Sequence, residues 1–189
     1  MAIKTFTTGE VLTAADTNTY LANSGLVYIT SGALSGTSTN FAGCFTTTYD
    51  NYRIVISSVS FSANAFLYFR MLSGTTPQIA ANYSWGYTGI DENGVGKNSN
   101  FAGSTQGYLG VNITIASNVL GSASIDCFSP MLAQRTFLSV NAVAYPGAFA
   151  TLNGFSHYNP STAYDGIQFL TSAVPTMTGT VTIYGYRKP

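Results

Sequence analysis

Short β-prone runs, each closed by glycine, asparagine, serine or proline, recur from Gly25 to the end of this chain, and no other pattern constrains its fold as tightly. The runs cover residues 26–29, 52–56, 65–71, 83–87, 108–115, 123–128, 136–144, 150–155, 166–170 and 178–184. They are rich in Val, Ile, Thr, Tyr and Phe, the residues that fit a pleated, half-buried surface. In 52–56, Tyr52, Ile54 and Ile56 alternate with Arg53 and Val55, so two faces of a strand can be read directly. Ten such runs with no second helical pattern predict an all-β fold, an antiparallel β-sandwich of jelly-roll-like form. Asp91-Glu92-Asn93-Gly94 carries turn chemistry, and the stretch 94–107 reads as the longest polar loop. No internal repeat is evident, which argues against a long repetitive shaft.

Residues 1–24 read differently, as an anchoring or assembly segment preceding a β domain at 25–189. Thr13 can cap a helix and Asp16, three residues on, supports its positive end. The helix is expected to run to about Ala22 and to stop at Asn23-Ser24-Gly25. A helix this short is marginal alone in water and needs a partner surface. Phe6, Val11, Leu12, Thr13, Asp16, Tyr20 and Leu21 are the residues expected to supply that contact.

Only 7% of the 189 residues are charged and the formal net charge is zero, where an ordinary soluble domain is roughly one-quarter charged. A surface covered by neutral polar groups favours association, so the chain is expected to live in an assembly. The seven Lys and Arg are scattered singly, which gives no phosphate-neutralising patch and no expectation of nucleic acid binding. No apolar run approaches the length that spans a bilayer, so membrane insertion is not expected, and Met1-Ala2-Ile3-Lys4-Thr5-Phe6 lacks the apolar core of an export signal. Synthesis in the cytoplasm, off the ordinary export path, follows as an expectation. Cys44 and Cys127 then read as reduced, buried thiols, with a disulfide between them as the alternative.

Groups that carry chemistry are sparse. His157 is the single histidine, and Asp165 lies eight residues on, but no Gly-x-Ser-x-Gly elbow accompanies them. Of the seven carboxylates, Asp91 and Glu92 are adjacent, and none pairs by pattern into a glycosidase arrangement. One His and two separated Cys make no common zinc site, and Asp91–Gly94 lacks the spaced acids of a calcium loop. No catalytic residue, metal or cofactor is therefore expected, and the chain is read as a non-enzyme. The functional promise is aromatic. Tyr83, Trp85 and Tyr87 stand at period two and share one sheet face, as an interface or core, or else as a platform that stacks on a surface glycan.

The opening Lys4-Thr-Phe-Thr-Thr-Gly-Glu-Val-Leu-Thr-Ala-Ala-Asp-Thr-Asn-Thr-Tyr-Leu-Ala-Asn23 resembles leaders on tail and fibre proteins of tailed bacteriophages, cyanophages included. Thr48-Tyr-Asp-Asn-Tyr-Arg-Ile-Val-Ile56 and Gly179-Thr-Val-Thr-Ile-Tyr-Gly-Tyr-Arg187 are similar to segments of β proteins in phage structural modules. The resemblance implies a virion location, with assembly in the host cytoplasm, contacts to other virion proteins of the tail, baseplate or capsid, and a homo-oligomer, often a trimer. It brings no catalytic residue. The leading expectation is a short tail-fibre or adhesin-like protein anchored by its N-terminus. The alternatives are a capsid decoration or cement protein and, from another class, a host-glycan depolymerase.

Overall fold

The computed structural model describes residues 7–11, 13, 25–113, 120–172 and 174–188. Among them are thirteen strands and no helix. In chain order these are β1 (Leu26–Leu34), β2 (Ser38–Phe41), β3 (Asn51–Phe61), β4 (Ala65–Ser73), β5 (Thr76–Pro77), β6 (Tyr83–Asp91) and β7 (Gly96–Ser104). There follow β8 (Gly107–Ile113), β9 (Gly121–Phe128), β10 (Thr136–Ala144), β11 (Ala150–Tyr158), β12 (Gly166–Thr171) and β13 (Met177–Tyr186).

All strand pairs are antiparallel and fall into two sheets. The larger runs β1-β13-β3-β9-β10-β11-β6-β7. The smaller runs β2-β12-β4-β5, with β8 also paired to β4. Binary alternation sets which face turns inward. Strand β10 is buried at every second residue from Thr136 to Ala144, and β3 turns Tyr52, Ile54 and Ile56 inward. These meet Leu67, Phe69 and Met71 of β4 and Ile167 and Phe169 of β12 in one core cluster that draws on both sheets. Each fully buried Ile or Leu there stabilises the fold by about 1.5–3 kcal/mol relative to exposure. Strand β8 is the most enclosed: it pairs with β4 and lies against β6, β9, β10 and β11, so six of its seven residues are buried.

Each of the ten β-prone runs coincides with a strand. Three strands were not expected: β2, β5 and β7. Strand β7 corrects the reading of 94–107 as a polar loop. The turn itself is confined to 91–95, where Asp91 Oδ1 accepts hydrogen bonds from the Asn93 and Val95 amides at 3.0 and 2.9 Å. Gly94 takes the left-handed backbone this turn requires (φ +76°). The chain is thereby returned alongside β6, and backbone pairing draws Gly-Lys-Asn-Ser-Asn-Phe-Ala-Gly-Ser into the ladder despite its weak β propensity.

The helix expected over 13–22 lies outside the described residues except for Thr13. Before it, Thr7 and Glu10 close a turn: the Glu10 amide donates to the Thr7 carbonyl at 3.0 Å and the Thr7 amide to Glu10 Oε2 at 3.1 Å.

Candidate functional site

Of the residues expected to anchor the chain, Phe6, Leu12, Asp16, Tyr20 and Leu21 lie outside the described set. Val11 and Thr13 are both exposed.

Tyr83, Trp85 and Tyr87 all lie on the inward face of β6, facing Tyr158, Ser156 and Gly154 of β11. Burial then divides them. Tyr83 is fully enclosed, packed on Tyr158 (ring centroids 4.3 Å apart) and edge-on to Phe69 (5.7 Å). Its hydroxyl accepts from the Met71 amide at 3.0 Å and donates to the Gln78 carbonyl at 2.9 Å. Trp85 and Tyr87 are half-buried, with ring planes 10° apart, and both abut Tyr108 of β8 at 5.3 Å. Phe101 of β7 stacks on Trp85 from the next strand, and Phe66 and Tyr68 of β4 reach Tyr108 from the other side. The Tyr108 hydroxyl is buried with no hydrogen-bond partner among the described residues, and burial pushes its pKa up. The cluster joins β4 and β8 to the β6–β7 hairpin.

The outward face of the eight-stranded sheet carries an aromatic row of which the sequence singled out His157 alone. Phe128, Phe137 and His157 are cross-strand partners in one row over β9, β10 and β11. Phe155 lies beside them, its ring nearly parallel to His157 (9°, 6.3 Å). Burial and the nearby Arg135 hold the His157 imidazole below its ordinary pKa, which favours the neutral form. The next rows hold Ser139, Phe155, Gly86 and Asn100, then Asn141, Asn153, Thr88 and Asn98, on β10, β11, β6 and β7. Two shallow grooves cross this face. One, about 470 Å³, lies over β11, β6 and β7, and the other, about 490 Å³, over β3, β9, β10 and β11; they meet at Asn153.

The described carboxylates are all engaged in turns or ion pairs. Asp91 meets Lys97 Nζ at 2.9 Å and Asp50 meets Lys188 Nζ at 2.7 Å. Asp126 accepts from the Tyr186 hydroxyl at 2.5 Å beside Arg53. Glu92 accepts the Phe149 amide and Asp165 the Gly74 amide. Among the described residues no three His, Cys, Asp or Glu side chains come together as a metal site. Cys44 and Cys127 are free and buried, and burial pushes the Cys44 thiol up to about 12.

No protein-family model matches the chain, and a comparison with curated proteins gives no match.

Proposed function

We propose that this chain is a non-enzymatic structural protein of a tailed-phage particle: a short, oligomeric tail-fibre or adhesin-like subunit held to the virion by residues 1–24, with the β domain turned toward the host. The observation that carries it is the order in which the chain fills its sheets. With β5–β7 and β10–β11 set aside, the larger sheet reads β1-β13-β3-β9 and the smaller β2-β12-β4-β8. In that set the chain changes sheet at every step but β4 to β8. This supports a jelly roll, an arrangement that recurs in viral capsid and lectin domains. The step from fold to virion is an analogy, and the phage-like leader adds to it.

The sheet edges support self-assembly. Among the described residues β1 pairs only with β13, and β7 only with β6, so each is an edge of nine residues without proline. Strand β1 carries no charge, and the one charge of β7, Lys97, is tied to Asp91. Natural proteins guard exposed edges with charge, proline or bulges; β7 has a bulge at Gly103, near its end, and β1 one at Ile29, which leaves most of the β7 edge regular. The eight strands alternate in direction, so β1 and β7 run oppositely. The β7 edge of one copy can therefore pair antiparallel with β1 of the next, a head-to-tail contact that closes into a ring such as a trimer.

Immunogold labelling with an antibody against this chain, on purified particles that carry its gene, tests the reading. Label confined to the tail is expected. Label spread over the head lattice would establish a decoration protein instead, and absence of label would overturn a virion location.

A further inference from the structure

We infer that the outward face of β10, β11, β6 and β7 is a binding site for a neutral oligosaccharide, with Phe155 as its stacking ring and Asn98, Asn100, Asn141 and Asn153 as its hydrogen-bonding groups.

The four asparagines are exposed, and no hydrogen bond among the described residues engages their side-chain amides. An amide offers two donors and an acceptor with two lone pairs, the mixed complement that vicinal sugar hydroxyls satisfy. Their placement is ordered by the sheet. Asn98 and Asn100 project from β7 two residues apart, on one face. Asn141 and Asn153 are direct cross-strand partners, and the same row continues through Thr88 to Asn98. Neighbouring strands lie about 4.8 Å apart, so the row sets polar groups at regular intervals across the trough, perpendicular to the strands.

Phe155 supplies the apolar half. Its ring lies over Gly86, where a Cβ would stand 3.0 Å from the ring's Cε1. Glycine there lets the aromatic group settle onto the backbone of the next strand. The residue is still 53% exposed, which leaves ring surface free for the C–H face of a pyranose. The two grooves that meet at Asn153 give an open trough, suited to an extended chain rather than a single sugar. Neither groove is lined by a charged side chain. Arg53 on this face is held by Asp126 at 3.6 Å and donates to Ser124 Oγ at 2.6 Å. Among the described residues the free cation on this face, Arg135, lies by His157 beyond the end of the trough and lines neither groove, so the complement of the trough itself is neutral.

The location is a third line of support. All five residues sit on β7, β10 and β11, strands outside the eight that make the jelly-roll order, so the site belongs to an elaboration of the fold and not to its frame. The proposed function supplies only the biological source of the sugar, a host surface. Binding itself is a property of the purified protein and is measured without particles.

The purified full chain is titrated by calorimetry and by ¹H–¹⁵N NMR with cellohexaose, maltohexaose, chitohexaose and a mannohexaose, beside an alginate hexasaccharide as the anionic comparison. Saturable binding of at least one neutral chain is expected, with shifts of the Asn98, Asn100, Asn141 and Asn153 side-chain amides. Phe155→Ala and Asn153→Asp are each expected to weaken it at least tenfold while circular dichroism stays unchanged. Trp85→Phe, on the opposite face of the sheet, is expected to leave it intact. The inference is overturned by failure of all four neutral chains, by preference for alginate, or by loss of binding in Trp85→Phe with retention in Phe155→Ala. A change in oligomeric mass in Phe155→Ala, with sugar binding retained, would assign the trough to a second copy of the chain and overturn it equally. Immunogold label on the tail with no sugar binding would defeat this inference and leave the virion reading standing; binding without label would do the reverse.

Discussion

Tyr83 and Tyr108 are both buried phenols, and only Tyr83 has its hydroxyl engaged within the described structure. Removing the Tyr83 hydroxyl strands the Met71 amide, so Tyr83→Phe is expected to lower unfolding free energy by about 1–3 kcal/mol in urea titrations. Removing the Tyr108 hydroxyl relieves an uncompensated desolvation, so Tyr108→Phe is expected to be neutral or to stabilise by up to about 1 kcal/mol. Equal losses in the two variants would contradict the hydrogen-bond assignment. Asp91 is expected to carry part of the acid sensitivity. Its hydrogen bond with Lys97, followed by the Val95 amide, holds its carboxyl below the ordinary range. A depressed folded-state pKa contributes stability that is present above the unfolded value of about 3.9 and is lost as pH falls through the folded value. Denaturant midpoints measured between about pH 2 and 6 should therefore fall less steeply in Asp91→Asn than in the parent. At this scale the sequence was informative where side chains act on their own neighbours, as in the 91–95 turn. It was silent on Tyr108, whose unpaired hydroxyl results from β4, β6 and β8 meeting around it.

Strand β7 shows where reading elements from sequence stops working. The ten runs found from sequence are self-announcing, because β-branched and aromatic residues alternate within them. Gly96 to Ser104 has no β-branched residue and one aromatic, and becomes a strand because a tight turn delivers it to an open ladder. The same limit hid the trough. Asn141 and Asn153 come from the consecutive strands β10 and β11 but Asn98 from the distant β7, and only strand pairing sets the three in a row. The period-two pairs Asn98/Asn100 and Asn153/Phe155 were its one local trace. The element also yields a prediction. If the β7 edge is an assembly surface, adding lysine to both of its faces should block pairing. Ser99→Lys with Ala102→Lys is expected to shift the chain from an oligomer toward a monomer in light scattering at micromolar concentration. An unchanged mass would move assembly to another surface.

The described core runs from Leu34 to Ile183. If residues 1–24 serve as the proposed anchor, deleting them is expected to leave the thermal unfolding midpoint within a few degrees of the parent, roughly the shift that 1 kcal/mol gives in a domain of this size. Particle incorporation is expected to be lost in the same variant, and retained incorporation would refute the anchoring role. The all-β class was plain in the sequence, because ten runs with one shared periodicity permit little else. The division into a sheet of eight strands and a smaller partner was not, since it depends on pairings such as β3 with β9 and β2 with β12 that join distant segments. The two cysteines turn that division into something that can be timed. Cys127 sits in β9 of the larger sheet, and Cys44 follows β2 of the smaller one, with its Sγ 3.1 Å from the Phe41 carbonyl oxygen. Neither thiol can meet a soluble reagent until the layer around it parts. Labelling each under native conditions makes the pair a built-in clock: simultaneous modification means the layers separate in one event, and earlier modification of Cys44 means the smaller sheet peels away first.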